Sequence, residues 1–212
     1  MNINTAFAPF QGQLLTQAIL LSILKGYSQP TDKIQTLVQE KVLFPMKEGL
    51  YIPGPALKIR RPERFLVANH IFGPSYVSLD VALSYHGLIP ERVFEVSSMT
   101  TQASCQFDTP VNRYAYYHLP LPYYTYGIKH TELWEDQFAL VATPEKALSD
   151  KIITTPGIIL RSRRMAIEYL TENLRIDEDN LAMLNVAAIQ EWLPYSTKKN
   201  SLRMVIEAIK RL

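Results

Sequence analysis

With one cysteine in 212 residues, the chain has no internal disulfide to form, and a lone thiol such as Cys105 suits a reducing cytoplasm. No apolar run approaches the ~20 residues that a membrane span requires. Ile19 to Leu24, the most apolar patch near the start, is far shorter. The opening residues also lack the basic segment of a secretory signal. These absences predict a cytoplasmic protein with no membrane partner. Catalytic signatures are missing too. His70, His86, His118 and His130 show no i,i+4 pairing and no cysteine at metal-ligand spacing. There is no glycine-rich phosphate loop, no Gly-x-Ser-x-Gly elbow and no Gly-Ser nucleotidyl-transfer signature. Asp80, Glu95, Asp108 and the pair Glu145-Lys146 are the material for a metal-dependent nuclease, which needs carboxylates near a lysine. Their spacing does not demand one, and Asp80 and Glu145 each fall in a first helical turn, where an acid is favourable anyway. The expectation is a non-enzyme with neither metal nor other cofactor.

What is present is an ordinary folding composition, 47% hydrophobic and 20% charged. The net charge of +2 is unevenly spread. Residues 1–64 hold eight Lys or Arg against four Asp or Glu, and residues 65–212 hold fourteen against sixteen. A basic front end on a mildly acidic body suits a nucleic-acid-reading module joined to something else. Half of those front-end cations lie in one run, Lys58 to Arg64, which a solvated linker would also explain.

Local patterns divide the chain further. Residues 11–25 predict an apolar helix that Gly26 ends. Gln29-Pro-Thr-Asp32 opens a second helix with Ile34, Leu37 and Val38 as its buried stripe. Val42 to Phe44 and Leu50 to Pro53 predict a hairpin turning at Gly49. Residues 1–10 can add a third short helix. This is the outline of a winged helix-turn-helix. Beyond Gly54, Phe65 to Phe72 predicts a helix broken by Gly73-Pro74. Strands are expected at 93–98, 114–119, 123–128 and 138–141. Helices are expected at 161–173, 178–184, 186–192 and 197–212. The fold class is therefore α+β: a winged helix-turn-helix at 1–57, a basic linker at 58–64, and a larger mixed domain at 65–212 with a helical tail. The tyrosines between 114 and 126 suit sheet packing better than base stacking.

Two punctuated segments are the most specific features. In Ser75 to Glu91, Ser78 is placed to cap a helix, Gly87 to end it in a left-handed conformation, and Pro90 to forbid its continuation. In Ala142 to Asp150, Thr143 is the expected N-cap with Pro144 at the first helical position. These segments, Tyr76 to Glu91 and Ala142 to Asp150, resemble the "YVSL-x-x-AL-x-YHGLIPE" and "ATPEKAL-x-D" phrases of AbiEi-type antitoxins from bacterial type IV toxin–antitoxin (abortive infection) systems. A third likeness, Lys33-Ile34, Leu37 and Gly49-Leu-Tyr-Ile-Pro53, is similar to that family's helix and wing. The likeness spans residues 14 to 155. It implies an antitoxin that represses its own operon through operator DNA and whose C-terminal domain counters a nucleotidyltransferase toxin, with or without a stable complex. The alternatives are a winged-helix regulator without a toxin and a protein-interaction scaffold that no longer touches DNA.

In a winged helix-turn-helix the second helix enters the major groove and the wing touches the backbone. On that helix Lys33, Thr36 and Gln39 are the expected contacts. Lys47 on the wing and Arg60, Arg61 and Arg64 in the basic run are the expected phosphate ligands. Arg161-Ser-Arg-Arg164 and Lys198-Lys199 form further basic runs at helix ends.

Overall fold

The structure, a computed structural model, describes residues 3–212; residues 1 and 2 of the expected N-terminal unit lie outside the described residues. The chain opens with α1 (Ile3–Phe7) and a 3-10 turn at Ala8–Phe10, then β1 (Leu15–Thr16), α2 (Gln17–Ile23) and α3 (Pro30–Gln39). A hairpin follows, β2 (Leu43–Lys47) and β3 (Leu50–Pro53), and the three strands form a sheet in the order β1-β3-β2. The helix expected over 11–25 starts only at Gln17. Leu15 and Thr16 pair instead with Tyr51 and Leu50, and the Thr16 hydroxyl accepts the Ile19 N–H at 3.3 Å, capping α2. The end of α3 is wound shut by a left-handed residue. Lys41 has φ +57, and Val42 N–H reaches back to the Leu37 carbonyl, a Schellman closure that usually employs glycine.

The body begins with α4 (Arg64–Ile71), so the last residue of the expected linker is already helical. Then come β4 (Ser75–Val77), α5 (Leu79–Tyr85), β5 (Val96–Thr100), β6 (Cys105–Asp108) and β7 (Arg113–His118). A 3-10 turn at Tyr123–Thr125 leads to β8 (Ile128–Trp134) and β9 (Gln137–Ala142). The six strands form one mixed sheet in the order β6-β7-β5-β4-β9-β8, parallel at β5/β7 and β4/β9 and antiparallel elsewhere. The strand expected at 123–128 is not formed. Pro120 and Pro122 bring no N–H to a ladder, and Tyr124 N–H closes a turn on the Pro120 carbonyl. Tyr123 and Tyr124 are instead core residues, as are Tyr76, Tyr114 and Tyr116, whose exposures are all 8% or less.

After α6 (Pro144–Thr154) the chain is helical: α7 (Arg163–Glu168) widening into a π turn at Tyr169–Asn173, α8 (Glu178–Ala182), α9 (Val186–Trp192) and α10 (Lys199–Ile209), which packs on α7. No helix among the described residues is long and apolar enough to cross a membrane.

The N-terminal hairpin is shared between two cores. Leu43 joins Phe7, Leu15, Leu20, Leu24, Ile34 and Leu37 in the first, while Met46, Leu50 and Ile52 belong to the core of the body. Ordinary two-residue alternation does this on both strands: Leu43 and Tyr51 face the first core, while Phe44, Met46, Leu50 and Ile52 face the body. The two units therefore share apolar contacts rather than hanging from a loose linker.

Candidate nucleic-acid interface

α3 keeps Ile34 and Leu37 in the N-terminal core and turns Thr31, Asp32, Gln35, Gln39 and Glu40 to solvent. Of the contacts expected here, Gln39 is fully available. Lys33 is half-buried, its ammonium 5.7 Å from the centre of the Tyr27 ring, a cation–π arrangement that still leaves its donors usable. The Thr36 hydroxyl donates to the Asp32 carbonyl at 3.0 Å one turn back, so it can offer an incoming base only its acceptor lone pairs.

The remaining expected cations do not join that face. Lys47 donates to the Ile71 carbonyl at 2.7 Å, satisfying the C-terminal end of α4. The hairpin tip thereby leans on the body, and its charge faces a helix end instead of a phosphate. Arg60 pairs with Glu135 at 3.2 Å across the junction, while its own carbonyl accepts the Gly12 N–H. Arg64 donates to the Val93 carbonyl at 2.9 Å, and its burial pulls the guanidinium pKa down, opposed by the neighbouring Glu63. Arg61 is exposed but lies on the Phe44 ring, 5.3 Å from its centre, on the body side of the hairpin.

Three cations outside the expected contacts are better placed. Lys25 follows α2, Lys41 closes α3 and Lys58 follows β3. All three are exposed and have no ion-pair partner among the described residues. Ala56 N–H reaches the Lys41 carbonyl at 3.4 Å, so Lys58, two residues on, flanks the same end of α3 as Lys41. Lys58 belongs to the basic run already noted, whereas Lys25 and Lys41 are isolated lysines just outside helices, where a search along helix faces does not look.

The two signature segments meet inside the body and not on its surface. Lys146 and Asp150, one turn apart on α6, are both 0% exposed, with the ammonium 3.0 Å from the carboxylate. The Lys146 ammonium also donates to the Tyr123 carbonyl at 3.0 Å and sits 3.3 Å from the Tyr123 ring centre. Burial lowers the lysine pKa, and Asp150 opposes that shift. On the other side of the carboxylate, Tyr76 and Ser78 both donate to its second oxygen, at 2.9 and 2.7 Å. Ser78 thus holds the N-cap position of α5 without capping it; its hydroxyl goes to Asp150. His86 contacts the Ala142 carbonyl at 2.8 Å, and Lys151 pairs with Asp80 at 2.6 Å, tying the same two segments together again. The expected cap at Thr143 is made, to the Lys146 N–H, and Gly87 has the left-handed φ of +71.

The carboxylates weighed as a nuclease are dispersed. Asp80 faces Lys151, Asp108 faces Arg113, and Glu145 accepts the Asn185 N–H. Among the described residues no three His, Cys, Asp or Glu converge in a way that could hold a metal.

No protein-family profile matches the chain, and no curated protein matches it. A solved structure does: the crystal structure of RV2827C protein from Mycobacterium tuberculosis superposes with a TM-score of 0.62 at 12% identity, over 98% of this chain and 75% of that one. At that identity the likeness is one of fold, and the α+β architecture with its helical C-terminal segment is what it supports.

Proposed function

We propose that this chain is the AbiEi-type antitoxin of a type IV toxin–antitoxin system and that it also represses its own operon by binding duplex operator DNA. The observation that carries the DNA half is the order of the first six elements, helix-strand-helix-helix-hairpin, with the outer face of α3 turned to solvent. That order is the plan of a winged helix-turn-helix, in which the second helix of the pair reads the major groove. Lys33, Thr36 and Gln39 read base edges or adjacent phosphates, and Lys25, Lys41 and Lys58 hold the backbone on either side. The wing has a different job in this reading. It anchors the reading head to the body through Lys47, Met46 and Ile52.

The antitoxin half rests on the resemblance of Tyr76–Glu91 and Ala142–Asp150 to the family phrases. Those segments lie mostly in the interior of the body, with Tyr85 the large side chain they expose, so most of the surface that counters a nucleotidyltransferase toxin lies on other residues. Such a pairing belongs in the cytoplasm, where the operon and the toxin's targets are.

The test uses the full chain and a Lys33→Ala/Thr36→Ala/Gln39→Ala variant, each co-expressed with a type IV nucleotidyltransferase toxin. Both proteins should rescue growth, while in electrophoretic shifts the variant binds the promoter at least ~10-fold more weakly, two or three lost contacts at ~1 kcal/mol each. Failure of the wild type to rescue removes the antitoxin assignment. Undiminished promoter affinity in the variant removes α3 as the reading helix.

A further inference from the structure

The two edge strands of the six-stranded sheet are not alike. β6 is four residues long with Pro110 just beyond it, whereas β8 runs for seven and keeps a regular register from Ile128 to Glu132. Among the described residues no backbone hydrogen bond reaches β8 from any element but β9. Which residues of β8 turn their polar groups outward follows from β9. The Leu140 N–H donates to the Asn69 side chain of α4 at 2.7 Å, and the Leu140 carbonyl accepts from the same side chain at 3.5 Å. Both groups therefore point away from β8. In an antiparallel ladder the residue directly opposite such a residue also faces away, and that residue is His130. By alternation Glu132 shares its orientation. The N–H and C=O groups of His130 and Glu132 thus form an unguarded strand edge, an element that readily pairs with another strand.

The side chains choose the partner. His130 and Glu132 are exposed on one face of the sheet, beside the exposed Phe138 and Leu140 of β9. The His130 ring lies flat on Phe138, 4.8 Å between centroids and 6° between planes, which fixes its place on the strand. When two copies of β8 run antiparallel about a two-fold axis through Thr131, His130 of each falls opposite Glu132 of the other. In that register the two residues also exchange both backbone hydrogen bonds. An imidazole facing a carboxylate is favourable, whereas like charges directly opposite are not. Moving the axis to either neighbouring residue sets His130 against His130 or Glu132 against Glu132, so the strand is self-complementary in one register. We propose that β8 joins two copies of this chain edge to edge, continuing their sheets into one. The contact is isologous and closed, so assembly stops at a dimer. A single strand edge is a small interface, and the dimer is correspondingly weak, with a dissociation constant of roughly 10–100 µM. It needs neither DNA nor toxin and stands or falls apart from the function proposed above.

Sedimentation velocity of the full chain from about 2 to about 500 µM should show the sedimentation coefficient rising from that of a monomer to that of a dimer. His130→Pro removes an outward N–H while leaving the ladder to β9 intact, and should weaken association by about 10-fold or more at a wild-type melting temperature. Glu132→Lys, which leaves the backbone untouched, should weaken it similarly. His130→Glu/Glu132→Lys restores opposite charges across the axis and should recover most of that loss. In amide hydrogen exchange, His130 and Glu132 should slow as concentration rises, while Lys129 and Thr131, already bonded to β9, do not change. A chain that stays monomeric at the highest concentration overturns the proposal. So does a dimer that His130→Pro and Glu132→Lys leave unchanged, or one whose formation does not slow the His130 and Glu132 amides, because either places the contact elsewhere.

Discussion

A lysine ammonium with no exposed surface has to be neutralised by its surroundings, and around Lys146 the nearest neutralising groups come from the two signature segments and the turn between β7 and β8, with the Trp192 ring of α9 further off at 6.0 Å. Asp150 supplies the charge, the Tyr123 carbonyl an acceptor and the Tyr123 ring a negative face. The carboxylate is satisfied in turn by Tyr76 and Ser78. Such a pair adds little over a well-packed apolar pair, but removing one partner strands the other charge in the interior. Asp150→Ala should therefore lose about 3–5 kcal/mol in urea unfolding, and Lys146→Met/Asp150→Leu much less. A loss below 1 kcal/mol for Asp150→Ala would mean that the ion pair is open to water. The sequence announced these segments by their punctuation, and the Thr143 cap and the Gly87 stop were legible from it. The role of Ser78 was not, because capping is a local property whereas Asp150 lies 72 residues further along the chain.

At the scale of elements, short segments with strong local signals were readable. The expected helix at Val186–Trp192 has those bounds, and the hairpin turns at Gly49 with φ +71. Elements that depend on partners were not. β4, three residues long and buried, reads locally as a run-in to a helix, and the tyrosines at 123 and 124 look like a strand until the flanking prolines are given weight. The same limit hid the fate of the cations, since Lys47, Arg60 and Arg64 are drawn to a helix end, an acid and a carbonyl on the other side of the junction. Lys41 gives this scale its own prediction. Its left-handed backbone costs roughly 1 kcal/mol that glycine would avoid. Lys41→Gly should raise stability by about 0.5–1 kcal/mol in thermal melts, and if the lysine holds a phosphate it should weaken promoter binding at the same time. Higher stability with unchanged binding would confine Lys41 to a structural part.

Across the whole molecule, the question is whether head and body behave as one. Met46, Leu50 and Ile52 lie in the body's core, while β3 is hydrogen-bonded to β1 of the head and β2 to β3. Lys47–Ile71, Arg60–Glu135 and the Glu63 N–H on Gln137 cross the same junction. Residues 58–64 read as a boundary from a change in charge, but the sequence could not reveal that the hairpin before them is shared between two cores. Calorimetry should accordingly show one unfolding transition with equal calorimetric and van't Hoff enthalpies. Two resolved transitions would mean that the shared core does not couple the units.

The central claim, that the head grips duplex DNA with a small set of free lysines, is tested most directly by the salt dependence of promoter binding. Lys25, Lys33, Lys41 and Lys58 are the cations left to meet phosphates once Lys47, Arg60 and Arg64 are engaged and Arg61 lies on the body side of the hairpin. Fluorescence anisotropy between 50 and 300 mM salt should therefore give a slope of log K against log salt of roughly −3 to −4 per bound copy. A slope near zero, or no binding at the lowest salt, would contradict the account.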